Sequence, residues 1–367
     1  MKKVTIIGAG RIGATIADML TLSSDYAVTV LDRDAGQLAA LDVEPHVARR
    51  QVDAGDTQAL ADALAGQFAV ISAAPYSLTQ AIARAAREAG VHYLDLTEDV
   101  RSTRAVKEIA QGASTAFVPQ CGLAPGFVSI AALSLARGFD TLEDVRMHVG
   151  ALPVAPDNAL NYALNWSPEG VINEYCEPCE AIVEGRHRDD VAPLEGLDEM
   201  EIDGVRYEAF NTSGGLGSTC QALAGRVRNL SYRTLRYPGH AAVMKLLLND
   251  LGLATRRDLA LEILRHAVPS GTLDKVVIHV EVTGHKNGRA ASEAFTRIVH
   301  GARLGSRARS AIQLTTASGV CTVLDTLASG GLAGRGFLAQ DDIALQTLLA
   351  NRFGWPYAVT DSVAQVA

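Results

Sequence analysis

One hexapeptide constrains this chain more than any other feature. Gly8-Ala9-Gly10-Arg11-Ile12-Gly13 follows the apolar run Val4–Ile7 directly, and opens a stretch in which Ile12, Ile16, Met19 and Leu20 recur at helical spacing. A short all-apolar run fits a strand buried on both faces of a parallel sheet. Between strand and helix, Gly8 permits the tight turn, Gly10 lets backbone approach a pyrophosphate, and Gly13 lets the helix pack on the strand. The unpaired N–H groups of the helix start, those of Arg11 and Ile12 among them, then face the phosphates. Nineteen residues after Gly13, Asp32 ends the next strand, Ala27–Leu31, where an acid accepts from a ribose hydroxyl and repels a 2′-phosphate. Arg33 beside it offers a 2′-phosphate contact or a plane for adenine. Weighting the carboxylate over the arginine makes NAD the expected cofactor and NADP the less favoured one.

The same alternation runs on to about residue 120. Helical patterns at Ala35–Leu41, Thr57–Leu64, Leu78–Ala89 and Val100–Gln111 separate strand patterns at Val47–Val52, Phe68–Ser72, His92–Leu96 and Thr115–Val118. Such a βαβ series predicts an open parallel sheet with right-handed crossovers. Asp53 closes the third strand, placed for the adenine amino group or simply as a neighbour of a helix N-cap. Ser72-Ala73-Ala74-Pro75 ends the fourth, and its small residues let a ribose lie against the backbone.

After a helix near Phe127–Arg137 the pattern changes to long strands of alternating polarity. Val145–Val149, Glu180–Glu184, Arg206–Phe210, Val227–Tyr232, Lys275–Thr283 and Ala291–His300 read as an antiparallel sheet, the last two joined through Asn287-Gly288, a strong hairpin signal. Helices at His240–Leu251 and Arg256–Ala267 would cover one face. Ser310–Leu327, rich in Ala, Thr and Leu, should be buried against the first domain, and Asp341–Asn351 reads as a last amphipathic helix. The fold class expected is α/β, a Rossmann (doubly wound parallel sheet) domain plus an α+β substrate domain with a mostly antiparallel sheet. The boundaries are 1–122, 123–305 and a helical segment 306–367 returning to the first domain.

Composition removes several functions. Net charge is −8 with both signs interspersed, so no basic block exists to neutralise nucleic-acid phosphates. The cluster Arg303, Arg307 and Arg309 reads as a solvated loop or helix start. No apolar stretch approaches the roughly 20 residues that span a bilayer, and Val4–Ile7 is too short for a secretory leader. Five cysteines suit a reducing cytoplasm, the expected compartment. Cys176 and Cys179 form a lone C-x-x-C without the second pair that zinc would need, so no metal is expected.

The segments "HYLDLTEDV", "PQCGLAPGF", "NALNYALNWSPEGVINEY", "FNTSGGLG" and "YRTLRYPGH" resemble the saccharopine dehydrogenase-like superfamily, and most of all its lysine 6-dehydrogenase branch. The resemblance implies oxidation of a C–N bond at a lysine side chain with NAD or NADP, yielding 2-aminoadipate 6-semialdehyde. Saccharopine-cleaving relatives tend to read G-x-D-P-G, whereas Gly122-Leu123-Ala124-Pro125-Gly126 has Ala124 in place of the acid, which favours the lysine branch.

A lysine-like substrate needs a cation for its carboxylate, and Arg236 is the candidate clamp. His240, at a helix start, is the candidate base, beside Asp95 and Glu98 at the end of the fifth strand. Asp99 reads as a helix cap. Tyr162, Trp166 and Cys121 are the expected lining of the aliphatic slot, and Ser167 the N-cap of a helix that begins at Pro168. Gly214-Gly215-Leu216-Gly217 reads as a flexible loop over the substrate. The expected partners are a small amino-acid substrate and a second copy of the chain, as a homodimer. Two alternatives stand beside this reading: cleavage of saccharopine, and NAD sensing without turnover.

Overall fold

The computed structural model describes residues 1–271 and 273–358. Strands β1 (Lys2–Ile7), β2 (Tyr26–Asp32), β3 (Ala48–Gln51), β4 (Ala69–Ser72), β5 (His92–Asp95) and β6 (Ala116–Val118) alternate with helices α1 (Arg11–Leu22), α2 (Ala35–Ala40), α3 (Thr57–Leu64), α4 (Thr79–Ala89) and α5 (Val100–Ile109). All these strands pair in parallel, in the order β6-β5-β4-β1-β2-β3. The central strands are mostly apolar where both faces are covered, as at Val4–Ile7 and Ala69–Ile71. Val4, Ile6, Ala69 and Ile71 join one core, while Ile7, Val70, Tyr93 and Phe117 join another. β3 is an exposed edge, which is why Arg49 and Arg50 are tolerated in it. The order reverses between β1 and β4, and ligands bind at the carboxyl ends of strands at such a switch point.

The second domain opens with α6 (Phe127–Ala136) and β7 (Thr141–Pro153). Strands β8 (Cys179–Val183), β9 (Arg186–Val191), β10 (Asp198–Ile202), β11 (Val205–Asn211), β12 (Val227–Arg236), β13 (Asp274–Lys286) and β14 (Arg289–His300) complete its sheet, ordered β10-β11-β12-β7-β13-β14 with β8 and β9 beside β12. The sheet is mixed rather than antiparallel throughout, since β12 and β7 run parallel. The long connection between them leaves room for that crossover. β9 and β10 escape a reading by alternation because their residues are mostly charged and exposed. Asn287 and Gly288 both take positive φ between β13 and β14, as their hairpin signal requires.

Around the sheet lie α7 (Pro168–Cys176), α8 (Thr219–Leu223), α9 (His240–Lys245) and α10 (Arg257–Ala267). Ser167 Oγ accepts from the Gly170 N–H at 3.1 Å and caps α7, and Asp99 accepts from Ser102 at 2.6 Å and caps α5. The helix expected over His240–Leu251 changes after Lys245 to a π-helical turn, Leu246–Asp250.

The C-terminal segment returns to the first domain. A two-stranded arm, β15 (Ala302–Leu304) and β16 (Arg307–Arg309), leads into α11 (Ala311–Ala328), which is buried almost all round. Tyr26 Oη donates to Asp325 at 2.8 Å, and β17 (Gly336–Phe337) extends the parallel sheet by pairing with β6. Of the three arginines expected to be solvated, Arg303 is exposed but Arg307 and Arg309 are not. Arg309 Nη2 reaches the fully buried Asp18 carboxylate at 2.6 Å, and Arg307 reaches Asp42 and Glu44, each at 2.6 Å. The helix expected at Asp341–Asn351 is broken into a 3-10 turn, Gln340–Asp342, and α12 (Leu345–Ala350). Residues 359–367 of the expected segment lie outside the described residues.

Candidate active site

The glycine turn has the shape a dinucleotide requires. A Cβ at Gly8, where φ is +115°, would stand 2.5 Å from the Ala73 carbonyl oxygen, and one at Gly13 would stand 2.0 Å from that of Gly8. Nothing lies within 4 Å of the Cβ position at Gly10, the N-cap of α1, and no side chain caps that helix. The first-turn N–H groups, which have no intrahelical partners, are therefore open to an anion. Asp32 Oδ2 accepts from the Ala9 N–H at 2.8 Å and Oδ1 from Asp34 at 2.9 Å, so the carboxylate also holds the turn. Arg33 is exposed. Asp53 is exposed too and accepts from the Gly55 N–H at 2.8 Å in a local turn. Arg11 crosses to the second domain, where its Nη2 donates to Ser270 Oγ at 3.0 Å.

Beyond this turn a cavity of about 520 Å³ separates the domains. Ile12, Ala73, Ala74 and Pro75 border it from the first domain, and Trp166, Thr234 and Arg236 from the second. Ala73 and Trp166 also border the groove that leads to Gly10, so cavity and glycine turn form one continuous cleft. Trp166 lines the cavity, with its Nε1 donating to Tyr162 Oη at 3.0 Å.

Arg236 ends β12 and is 97% buried, taking its relative exposure of 3% from the whole. Its Nε donates to Tyr175 Oη at 2.9 Å and its Nη1 to the Leu235 carbonyl at 2.9 Å. The guanidinium lies 4.8 Å over the Tyr162 ring. Among the described residues no carboxylate comes within the 4.0 Å of an ion pair. A buried cation on a cavity wall without a counter-charge is an anion site in waiting.

His240 does not reach the cavity. Its Nδ1 donates to the Leu160 carbonyl at 2.8 Å, which leaves Nε2 to accept from Tyr175 Oη at 3.0 Å. Burial, and then the charge of Arg236, push its pKa down to about 3, so it is neutral and fully engaged. Its part is to orient Tyr175 and, through it, Arg236. Glu208 sets this corner by accepting from the Gly239 and Ala241 N–H groups at 2.8 and 2.5 Å.

Three other expected site residues also stand behind the wall. Asp95 is buried and accepts from Tyr93 Oη at 2.7 Å and from the Gln120 and Thr97 N–H groups at 2.8 and 3.1 Å; burial raises its pKa to about 6. It organises the loop rather than lining the cavity. Cys121 points away, its Sγ 2.8 Å from the Val118 carbonyl. Tyr162 underlies Arg236 instead of facing the cavity. For Asp95 and Cys121 the nearby strand end was legible but the direction of the side chain was not.

Glu98 does line the cavity, and so does a residue the sequence reading missed, Glu174 of α7. Burial, then the charge of Glu98, push the Glu174 carboxyl up to about 8, and burial raises Glu98 as well. Helical spacing places Glu174 on the buried face of α7 with Val171 and Tyr175, and a carboxylate on an apolar stripe was the available signal. The glycine loop joins the two. A Cβ at Gly214 would lie 3.0 Å from that of Glu98, Ser213 N–H donates to the Glu174 carbonyl at 2.9 Å, and a Cβ at Gly215 would enter the Tyr232 ring. It is packed, not a free lid.

Outside the cleft, Glu180, His187 and Cys220 bring potential metal-ligand atoms within 4.8 Å of one another. Arg104 shares the Glu180 carboxylate at 3.5 Å, so an ion-pair cluster accounts for the arrangement. No helix among the described residues is long and apolar enough to cross a membrane.

A glycine-turn parallel sheet, a second α+β domain and a cleft between them define a two-domain protein of the dinucleotide-binding class. Residues 4–118 match the saccharopine dehydrogenase NADP binding domain and residues 122–353 the saccharopine dehydrogenase C-terminal domain. The chain belongs to the saccharopine dehydrogenase family. The mitochondrial alpha-aminoadipic semialdehyde synthase of Mus musculus is 22% identical over 265 residues, which are 66% of this chain and 27% of that protein. Saccharopine dehydrogenase [NADP(+), L-glutamate-forming] of Saccharomyces cerevisiae is 25% identical over 177 residues, 47% of this chain and 40% of that one. The chain thus spans about a quarter of the length of the first of these relatives. Its fold is that of apo saccharopine dehydrogenase (L-Glu forming) from Saccharomyces cerevisiae, with TM-score 0.78, 17% identity, and coverage of 95% of this chain and 96% of that one.

Proposed function

We propose that the chain oxidises the terminal amine of lysine to 2-aminoadipate 6-semialdehyde, with NAD as the preferred acceptor. The observation that carries this reading is the charge of the cavity wall: Glu98 and Glu174 against the single guanidinium of Arg236, with Glu169 already paired to Arg265. Lysine brings one carboxylate and two ammonium groups, so one cation and a pair of carboxylates able to accept from an ammonium complement it. Saccharopine brings three carboxylates and would meet repulsion from the glutamates. Ala124, which lines the cavity, contributes no further charge.

The dinucleotide, held by the Gly8–Gly13 turn and Asp32, supplies the two-electron acceptor when bound. The chain supplies position and dryness. Arg236 holds the α-carboxylate, Trp166 borders the aliphatic stem, and the glutamates draw the amine to the opposite wall. The overall reaction balances as R–CH2–NH3+ + NAD+ + H2O → R–CHO + NH4+ + NADH + H+. Saccharopine cleavage is the second reading, favoured by the fold shared with the yeast enzyme. The deciding assay is formation of reduced dinucleotide with lysine or saccharopine, each with NAD and NADP. Turnover of saccharopine alone would overturn the lysine reading.

A further inference from the structure

Glu98 leaves the loop after β5 in the first domain, and Glu174 sits on α7 in the second; both line the same cavity, and among the described residues no salt bridge ties either to a cation. From this geometry we infer that the two carboxylates hold one proton between them, and that Glu174 is the proton acceptor for the substrate's terminal amine. The inference rests on the amine-oxidation reading above and adds the residue that makes the amine reactive.

An ammonium nitrogen has no free electron pair, so it must lose a proton before the neighbouring carbon is oxidised. The step is R–CH2–NH3+ + Glu–COO− → R–CH2–NH2 + Glu–COOH: an N–H bond breaks, an O–H bond forms, and the electron pair stays on nitrogen. Two carboxylates in one dry cavity cannot both ionise cheaply, so the pair retains one proton at neutral pH. The groups facing Glu174 are Glu98 across the cavity, Arg236 and Tyr232 on β12, Tyr162 ahead of α7, and Tyr175 and Cys179 on its own side. Burial keeps the three tyrosines and the thiol protonated, leaving Glu98 and Arg236 as the charges that act on it. Arg236 lowers its proton affinity and Glu98 raises it, with desolvation the largest influence, for a net rise to about 8. An arriving ammonium reverses that balance. It expels the shared proton to solvent, then passes its own proton to the freed carboxylate.

Calorimetry in buffers of different ionisation enthalpy tests this on the whole chain with the reduced dinucleotide bound. At pH 7, lysine should release about one proton per site, and norleucine, which lacks the terminal amine, should release none. Glu174→Gln should release none with lysine, bind dinucleotide normally, and lose about 10²–10³-fold in kcat. Glu98→Gln should move the acid limb of kcat/KM to lower pH by about one unit, because it removes the like charge. Lysine binding without proton release, or a Glu174→Gln variant with kcat within about threefold of wild type, would overturn the proposal. Carbon-13 titration of the Glu174 carboxyl in the protein alone separates the two levels. A midpoint near 8 that falls in Glu98→Gln is expected; an ordinary carboxylate value overturns the shared proton. A wild type that oxidises no amine overturns the functional reading, and the acceptor role with it.

Discussion

Arg236→Ala isolates the carboxylate clamp from everything else in the cleft. The guanidinium is buried, tied to Tyr175 Oη and the Leu235 carbonyl, and meets no carboxylate within ion-pair distance among the described residues. A bound α-carboxylate would therefore be its only full counter-charge. Truncating one partner of such a pair in a closed site costs about 2–5 kcal/mol, roughly thirty- to several-thousand-fold in affinity. KM for lysine should rise by that factor while dinucleotide binding stays near normal. Arg236→Lys should recover only part, because an ammonium lacks the two-bond fork. Cadaverine, which has no carboxylate, should be a poor substrate for the wild type and little worse for the variant. Because alanine also releases Tyr175, Tyr175→Phe is the companion: losing that one hydrogen bond should cost about 1 kcal/mol, or about fivefold in KM. Steady-state kinetics with both amines decide the matter. Equal losses for lysine and cadaverine would refute the clamp and leave Arg236 a role in the fold.

Three further outcomes are expected. The wild type should use NAD better than NADP, and Asp32→Ser should narrow the ratio by about fivefold, since the carboxylate repels a nearby phosphate by about 1 kcal/mol in water; a wild type preferring NADP by about tenfold would hand the choice to Arg33. His240→Phe should raise KM through Arg236 without removing any limb of the pH–rate profile near pH 6.5, because its imidazole is held down to about 3. The same depression means that the unfolded chain binds the proton first, so wild-type stability should fall as pH drops from about 6.5 toward 3, less steeply in the variant. Arg309→Leu should cost about 3–5 kcal/mol in urea unfolding by stranding the buried Asp18, and Asp18→Asn in that background should restore most of it; a loss under about 1 kcal/mol would refute the pair's weight.

The parallel sheet was legible because its central strands are buried on both faces, so every residue from Val4 to Ile7 or Ala69 to Ile71 reports the same environment. The mixed sheet was less so. β9 and β10 are held by backbone pairing with charged side chains turned to water, and hydrophobic alternation carries no trace of them. At the site, sequence located the strand ends that carry Asp95, Glu98 and Arg236, since ligands gather where strands finish. It did not say which way each side chain turns. Asp95 bends back to Tyr93 and Gln120 while Glu98, three residues on, enters the cavity. Glu174 was hidden because it meets Glu98 only through the tertiary arrangement that brings α7 and the loop after β5 to one cavity.

That packing is set by a part of the chain that never touches the cavity. Asp95 accepts from the Gln120 N–H, and the Gln120 carbonyl accepts from Gln340 Nε2 at 3.0 Å. Gln340 Oε1 in turn accepts from the Ser218 N–H at 3.0 Å, at the end of the glycine loop. That loop abuts Glu98 through Gly214 and holds the Glu174 backbone through Ser213. A continuous polar path thus runs from the end of β5, through the segment after α11, to α7. In this path Gln340 bonds both the loop after β6 and the loop before α8, and each of these adjoins, through Asp95 or the glycine loop, an element that carries one of the two carboxylates. The spacing of that pair, on which both the shared proton and the preference for an amine depend, is a property of the closed two-domain chain and not of either domain alone.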